Sequence, residues 1–190
     1  RTYFGVPTEE VTNAVWVSHW GSDTLGIGTK ALPYATFTKA ITEATDGDTI
    51  YAQFVYDWAT SANTDDLDLT GRTLKIFGTG YSMLMNSQDL PTLNINTSCE
   101  FKHLIIDRYQ AAPATNMINI IAGNPVFTLC NCGGSKTDES RSYRLMGISG
   151  TADVTWNGGS VFGNTNLGGV TYVYKDIVIE DTANLNFICG

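Results

Sequence analysis

Carboxylates are the side chains whose spacing in this chain comes closest to a reactive site. Asp65-Asp66-Leu67-Asp68 is the densest acidic group, inside the polar stretch Ser61 to Thr70. Clustered carboxylate oxygens are hard ligands suited to Ca²⁺, which makes Asp65, Asp66 and Asp68 candidate metal ligands. Asp68 and Leu74, however, stand where an EF-hand loop needs its Gly and its closing Glu, and a solvated loop explains the group equally. Asp107, Glu180 and Asp181 are the candidate acid–base residues. They end apolar stretches, where turn-forming acids also collect. Trp20, Tyr56 and Trp58 could stack on sugar rings, with packing against neighbouring loops as the alternative.

Other chemistries lack their residues. No Gly-x-Ser-x-Gly occurs, Gly147-Ile148-Ser149-Gly150 being the nearest approach. Gly26-Ile27-Gly28-Thr29-Lys30 reads Gly-Thr-Lys where a phosphate loop needs Gly-Lys-Ser/Thr. His19 and His103 have no partner histidine, and His103 is expected at a strand surface. Cys99, Cys130, Cys132 and Cys189 do not follow zinc-site spacing. Cys130 and Cys132 fall on one face of a strand, where a bond between them is sterically poor; buried free thiols are expected, and no cofactor. Asn96-Thr97-Ser98 is a formal glycosylation acceptor that matters only in a eukaryotic secretory setting.

The elements that must position these residues follow from composition. The chain has 190 residues, one domain's length, with 43% hydrophobic and only 16% charged residues. Thr, Asn, Ser and 19 glycines stand in place of charge. β-Branched residues suit pleated surfaces, while Gly and Asn suit turns. An all-β domain is expected. The formal net charge is −8 and the eleven Lys and Arg are scattered, which disfavours nucleic acid as a partner. No apolar run approaches the roughly 18 residues of a membrane span, and no signal-peptide layout opens the chain. A soluble protein without a membrane partner is expected. A start at Arg1 instead of Met points to processing or trimming.

Residues 15–52 carry the clearest local pattern. Val15 to Val17 reads as a strand and Gly21 to Gly28 as a polar loop. Phe37, Ala40, Ile41 and Ala44 form one apolar stripe of a short helix with Thr36 as N-cap. Asp46-Gly47-Asp48 then turns the chain into the strand Thr49 to Ala52. Candidate strands follow at Leu74 to Phe77, Thr92 to Ile95, Phe101 to Ile106, Met117 to Ile121, Val126 to Leu129, Tyr143 to Ile148, Val154 to Trp156, Val170 to Tyr174, Ile177 to Ile179 and Leu185 to Ile188. Phe101 to Asp107 and Tyr174 to Glu180 share the order aromatic, Lys, polar, three aliphatics, acid. That self-similarity suggests stacked repeats of roughly 24 residues, with the two copies three coils apart.

The run from Val17-Ser18 through Gly21-Ser22-Asp23, Pro33-Tyr34-Ala35-Thr36-Phe37, Ala40-Ile41 and Gly47-Asp48-Thr49-Ile50-Tyr51 resembles the opening of right-handed parallel β-helix proteins of the pectate-lyase-like kind. The resemblance implies a short right-handed parallel β-helix with a small capping α-helix at its N-terminal end. Its expected organisation is an N-terminal arm over 1–14, the strand, loop and capping helix over 15–52, and coils over 53–190. Enzymes of that fold cleave acidic polysaccharides by elimination or hydrolysis. Their Asp, Glu or Arg residues recur at the coil period on neighbouring strands.

Strand alternation puts Ile105 and Val178 outside the solenoid, on one face three coils apart, where they are candidate interface residues. Phe187 and Ile188 join them. The closing stretch Leu185 to Gly190 is apolar and has no lid, so either the chain continues or a partner docks there. A short, acidic β-helix with such surfaces resembles structural β-helices of phage tail spikes, fibres and head-decoration proteins. The expectation is a non-enzymatic virion component, at the virion or extracellular, assembling as a homotrimer on a capsid or tail protein. A polysaccharide lyase or hydrolase is the alternative, as is a module binding surface glycan.

Overall fold

Alternating apolar and polar residues, rich in β-branched and aromatic types, drive most of the chain into strands. A computed structural model describes residues 13–59, 67–86, 92–108, 116–134, 144–163 and 175–188. In chain order it contains β1 (Ala14–Ser18), α1 (Phe37–Glu43), β2 (Thr49–Ala59), β3 (Leu67–Asp68), β4 (Lys75–Asn86), β5 (Leu93–Ile95) and β6 (Glu100–Lys102). Then follow β7 (Ile105–Arg108), β8 (Asn116–Ile120), β9 (Val126–Gly134), β10 (Arg144–Ile148), β11 (Asp153–Gly163), β12 (Lys175–Ile179) and β13 (Asn184–Ile188).

Two sheets result. One has the order β1-β2-β4-β6-β9-β11-β13, with β7 also pairing β4 and β9; the other runs β12-β10-β8-β5-β3. Their ladders are parallel. From β3 onward the chain visits the two sheets in turn. This satisfies a basic constraint, since parallel neighbours cannot be joined by a tight hairpin.

Register turns these ladders into columns. Ile50, Ile76, Phe101, Phe127 and Trp156 align inward and are all buried. Strand spacing of about 4.8 Å is also a good ring-stacking distance. Phe101 and Phe127 stack at 4.6 Å with planes 7° apart, and Phe127 and Trp156 at 4.6 Å and 16°. In the second sheet Leu67, Leu93, Ile118 and Met146 align, as do Ile95, Ile120 and Ile148. Both sets belong to one buried core.

The expected helix forms with Thr36 as its N-cap, the hydroxyl accepting from Lys39 N at 3.1 Å. Its stripe Phe37, Ala40 and Ile41 is buried. Ala44 is the C-cap rather than a helical residue. The turn after it is held by Asp48, whose carboxylate accepts from Thr45 N at 2.7 Å and Thr45 Oγ1 at 2.9 Å.

Several elements differ from expectation. β2, β4, β9 and β11 run well beyond the apolar cores that suggested them, the strand expected over Thr49 to Ala52 continuing to Ala59. Parallel neighbours supply ladder bonds to polar positions that composition alone assigns to loops. For the same reason Leu67 and Asp68, expected within a polar loop, pair as β3. The expected strand Phe101 to Ile106 is broken at His103, which has a positive φ of 52°. Leu129 (φ 51°) and Gly158 (φ 63°) follow the aligned residues Thr128 and Asn157 in the next strands. Three adjacent strands therefore turn at one line. The expected strand Val170 to Tyr174 lies outside the described residues.

The apparent repeat is not structural. Phe101 belongs to β6 in the first sheet, whereas Lys175–Ile179 is β12 in the second. The residues aligned with Phe101 are Phe127, Trp156 and Phe187. An aromatic–Lys–aliphatic run satisfies the alternation of either sheet, so its recurrence does not identify equivalent rungs.

Candidate functional site

The outward side of the first sheet carries a column of Trp16, Tyr51, Phe77 and Lys102. Trp16 and Tyr51 stack at 4.7 Å, and Tyr51 meets Phe77 edge-on at 6.1 Å. Cations close both ends: Lys30 Nζ lies 5.3 Å from the Trp16 ring centre and Lys102 Nζ 4.8 Å from that of Phe77. Lys102 also pairs with Glu100. The ring faces that a sugar would stack on are thus taken by other rings and by ammonium groups. The column clasps the outer face together. Sequence reasoning missed it, although Val15-Trp16, Ile50-Tyr51 and Ile76-Phe77 each show an inward aliphatic followed by an outward aromatic.

The two ends of the stack are finished differently. At the N-terminal end, residues 28–34 cover the outer edge of β1: Trp16 N donates to Gly28 O at 2.8 Å, Tyr34 N to Trp16 O at 2.9 Å and Ser18 N to Tyr34 O at 3.0 Å. The stripe of α1 buries against the core beside them. At the other end β12 and β13 are the last strands of their sheets among the described residues. Inward-pointing Phe187 is 50% exposed and Ile179 49%, although their rung neighbours Trp156 and Ile148 are buried. Ile177 and Leu185 are partly buried there. Among the described residues the core is covered at one end and not at the other.

The closed end also presents apolar side chains. Trp20, Leu25, Ile27 and Leu32 are exposed on a loop that is firmly hydrogen-bonded. Gly26 N donates to Ser22 O at 2.8 Å, Ile27 N to Leu32 O at 3.0 Å and Ser22 N to Pro33 O at 3.0 Å. Along the flanks, the exposed large aliphatics among the described residues are Ile121 and Leu129.

The acids nominated from sequence occupy separate places. Asp68 is exposed on β3 and its carboxylate accepts from Thr70 N at 2.8 Å, closing a turn; Asp65 and Asp66 lie outside the described residues. Asp181, in a left-handed conformation at φ 59°, accepts from Gly150 N at 3.1 Å. Glu180 is exposed beside it, and its backbone N donates to Ile148 O at 2.8 Å. Asp107 is in β7 of the first sheet, while Glu180 and Asp181 follow β12 of the second. The expected placement on neighbouring strands is not met. Among the described residues no three His, Cys, Asp or Glu side chains converge as a metal site.

Ile105 is partly buried on β7, and Val178 belongs to β12. They stand on different sheets, not on one face, which removes the register argument for a shared lateral patch. Phe187 and Ile188 are at the open end. Trp20 is exposed in the loop beside His19, the rings edge-on at 4.5 Å. Tyr56 and Trp58 fall within β2, and their side chains, with those of Asp107 and Val178, lie outside the described ones. His103 is exposed, as expected. Cys99, Cys130 and Cys132 are buried and in no disulfide, and Cys189 lies outside the described residues. Burial pushes the Cys130 thiol up to about 11.

Among the described residues no helix is long and apolar enough to cross a membrane. No protein-family model matches the chain, and neither a curated protein nor a solved structure does.

Proposed function

We propose that the chain is a short right-handed parallel β-helix of the pectate-lyase-like kind, and that its role is structural and non-enzymatic, as a virion component that assembles with further copies. The open terminal layer carries this reading: Phe187 and Ile179 continue the inward columns of Trp156 and Ile148 yet stand half exposed. Buried apolar surface is worth about 25 cal/mol per Å², so rings left in water at a sheet end favour association. Alternation of the chain between two parallel sheets supports the solenoid. The acids support a structural role, because Asp23, Asp48, Asp68 and Asp181 hold turns and a helix cap.

Incubation with acidic polysaccharides tests the absence of catalysis, and peptide mapping of purified virus particles from the gene's source tests the location. The proposal expects intact glycans and the chain's peptides within the particles. Release of unsaturated uronides or new reducing ends would establish the lyase or hydrolase instead, and particles free of the chain would exclude the virion role.

A further inference from the structure

An asparagine or aspartate followed by glycine can close a ring on the next peptide nitrogen, because glycine has no Cβ to obstruct the approach. The sequence holds one of each, Asn157-Gly158 and Asp46-Gly47, and the fold treats them differently. Asp46 Oδ1 accepts from Arg72 Nε and from Thr73 N, both at 3.3 Å, and Gly47 N donates to Thr73 O at 2.7 Å. A carboxylate paired with a guanidinium is a poor electrophile, and here the nitrogen that would attack it is engaged as well. Asn157 is partly exposed on the outer side of β11, in register with Thr128 and Ile188. Among the described residues its amide makes no side-chain hydrogen bond, whereas those of Asn94, Asn96 and Asn186 do.

The backbone beside Asn157 is irregular. Gly158, at φ 63°, falls in a gap of the β11–β9 register, which passes from the pair Asn157 and Thr128 to the pair Gly159 and Cys130. A carbon added at Gly158 would meet only the side chain of Leu129, at 3.1 Å, and Leu129 is itself half exposed. Gly159 is exposed, so water reaches the site. We propose that Asn157-Gly158 is a self-modification site that converts the Asn157 amide to an acid through a cyclic imide. Gly158 N attacks Asn157 Cγ, so that an N–Cγ bond forms, the Cγ–Nδ2 bond breaks, and ammonia leaves with the proton given up by the peptide nitrogen. Water then opens the five-membered imide. Addition at Cγ gives aspartate, and addition at the main-chain carbonyl gives an isoaspartyl linkage. Either product places a carboxylate where the amide stood. The isoaspartyl product also lengthens the main chain by one carbon, which misaligns the evenly spaced ladder bonds to the neighbouring strands. This chemistry needs only the chain and water, whatever the protein's role.

Ageing of the folded full chain at mildly alkaline pH tests it, read by peptide mapping with mass spectrometry and by an isoaspartyl methyltransferase assay. Amide loss is expected at Asn157 ahead of every other described asparagine, and no isoaspartate is expected at Asp46. The rate at Asn157 is expected within about tenfold of that in the same chain unfolded in urea, because little local opening is needed at a register gap. Asn157→Gln, whose longer side chain must close a six-membered ring, is expected to remove the methyl-acceptor signal. Aged wild-type chain is expected to unfold at lower urea than aged Asn157→Gln.

Amide loss at Asn157 more than about tenfold slower in the folded chain than in the unfolded one would show that the sheet keeps Gly158 N from Cγ, and would overturn the proposal. Faster loss at another described asparagine, or isoaspartate at Asp46, would overturn the selection of this site by the fold. Equal urea midpoints of the two aged chains would overturn the loss of ladder alignment.

Discussion

The carboxylate of Asp23 holds Thr36 across thirteen positions of chain: Oδ1 accepts from Thr36 N at 3.0 Å and Oδ2 from Thr36 Oγ1 at 2.7 Å, while Oδ1 also accepts from Ala35 N at 2.8 Å. Thr36 is itself the cap of α1, so one acid anchors the loop to the helix that closes the core. Asp23→Ala strands these donors in a partly buried site and is expected to cost about 1–3 kcal/mol. Asp23→Asn keeps Oδ1 and the shape, so its loss is expected to be smaller. Urea unfolding of the two variants checks the order; equal losses would mean that the bonds to Oδ1 contribute nothing.

The line of left-handed residues makes an unusual prediction about glycine. His103 and Leu129 adopt φ near +50° and are exposed, a conformation costing a side-chain-bearing residue roughly 1–2 kcal/mol. Glycine avoids that strain but adds unfolded-state entropy of about 0.4–1 kcal/mol. His103→Gly is therefore expected to be neutral or stabilising by up to about 1 kcal/mol, although it places glycine between two strands. Gly159→Ala is expected to act oppositely. At φ 79° its new Cβ would lie 2.0 Å from the backbone oxygen of Cys130, and a loss above about 2 kcal/mol follows. Gly47→Ala has nothing within 4 Å of the added carbon and is expected to show the smaller loss of φ strain alone. Thermal melts of the three variants test this ranking.

The inward stack sets a gradient along the axis. Phe127 lies between Phe101 and Trp156, each 4.6 Å away, and Phe127→Ala is expected to cost about 3–5 kcal/mol. Phe187 meets Trp156 at a tilted 6.3 Å and is half exposed, so Phe187→Ala is expected to cost less than half as much at concentrations where the chain is monomeric. Denaturant midpoints compare them.

Burial of Cys130 predicts a pH dependence. Its thiol ionises near 11 in the fold, against an ordinary value of 9.0. Its contribution is complete below pH 9, where the thiol is protonated in both states. It declines from about 9 to 11, as the unfolded chain gains thiolate and the fold does not, by roughly 3 kcal/mol in total. Cys130→Ala is expected to flatten that part of the stability profile without altering it below pH 8. Thiol reagents at pH 8 are expected to leave Cys130 unmodified until the protein unfolds.

Local patterns were legible where neighbours in the chain supply the interaction. Thr36 as N-cap, the buried stripe Phe37, Ala40 and Ile41, and the turn at Asp46-Gly47-Asp48 depend on contacts within a few residues, and they form as their spacing implies. Most strands were legible too, because alternation sets which side chains can be buried together.

Rung assignment was not legible, for a physical reason. A β-strand repeats every two residues, so many segments fit many rungs equally, and only the ladders select among them. Phe101 and Tyr174 begin similar stretches, but β6 and β12 belong to different sheets. The outward column from Trp16 to Lys102 and the line from His103 to Gly158 exist only once residues far apart in the chain lie about 4.8 Å apart across a ladder. Taken alone, the amino-acid order determined a strand-rich domain with one short capped helix, because those choices are made by near neighbours. The tertiary structure decided which residues stack and where the sheet turns, because those outcomes depend on hydrogen-bonded neighbours that the chain reaches only after a long excursion.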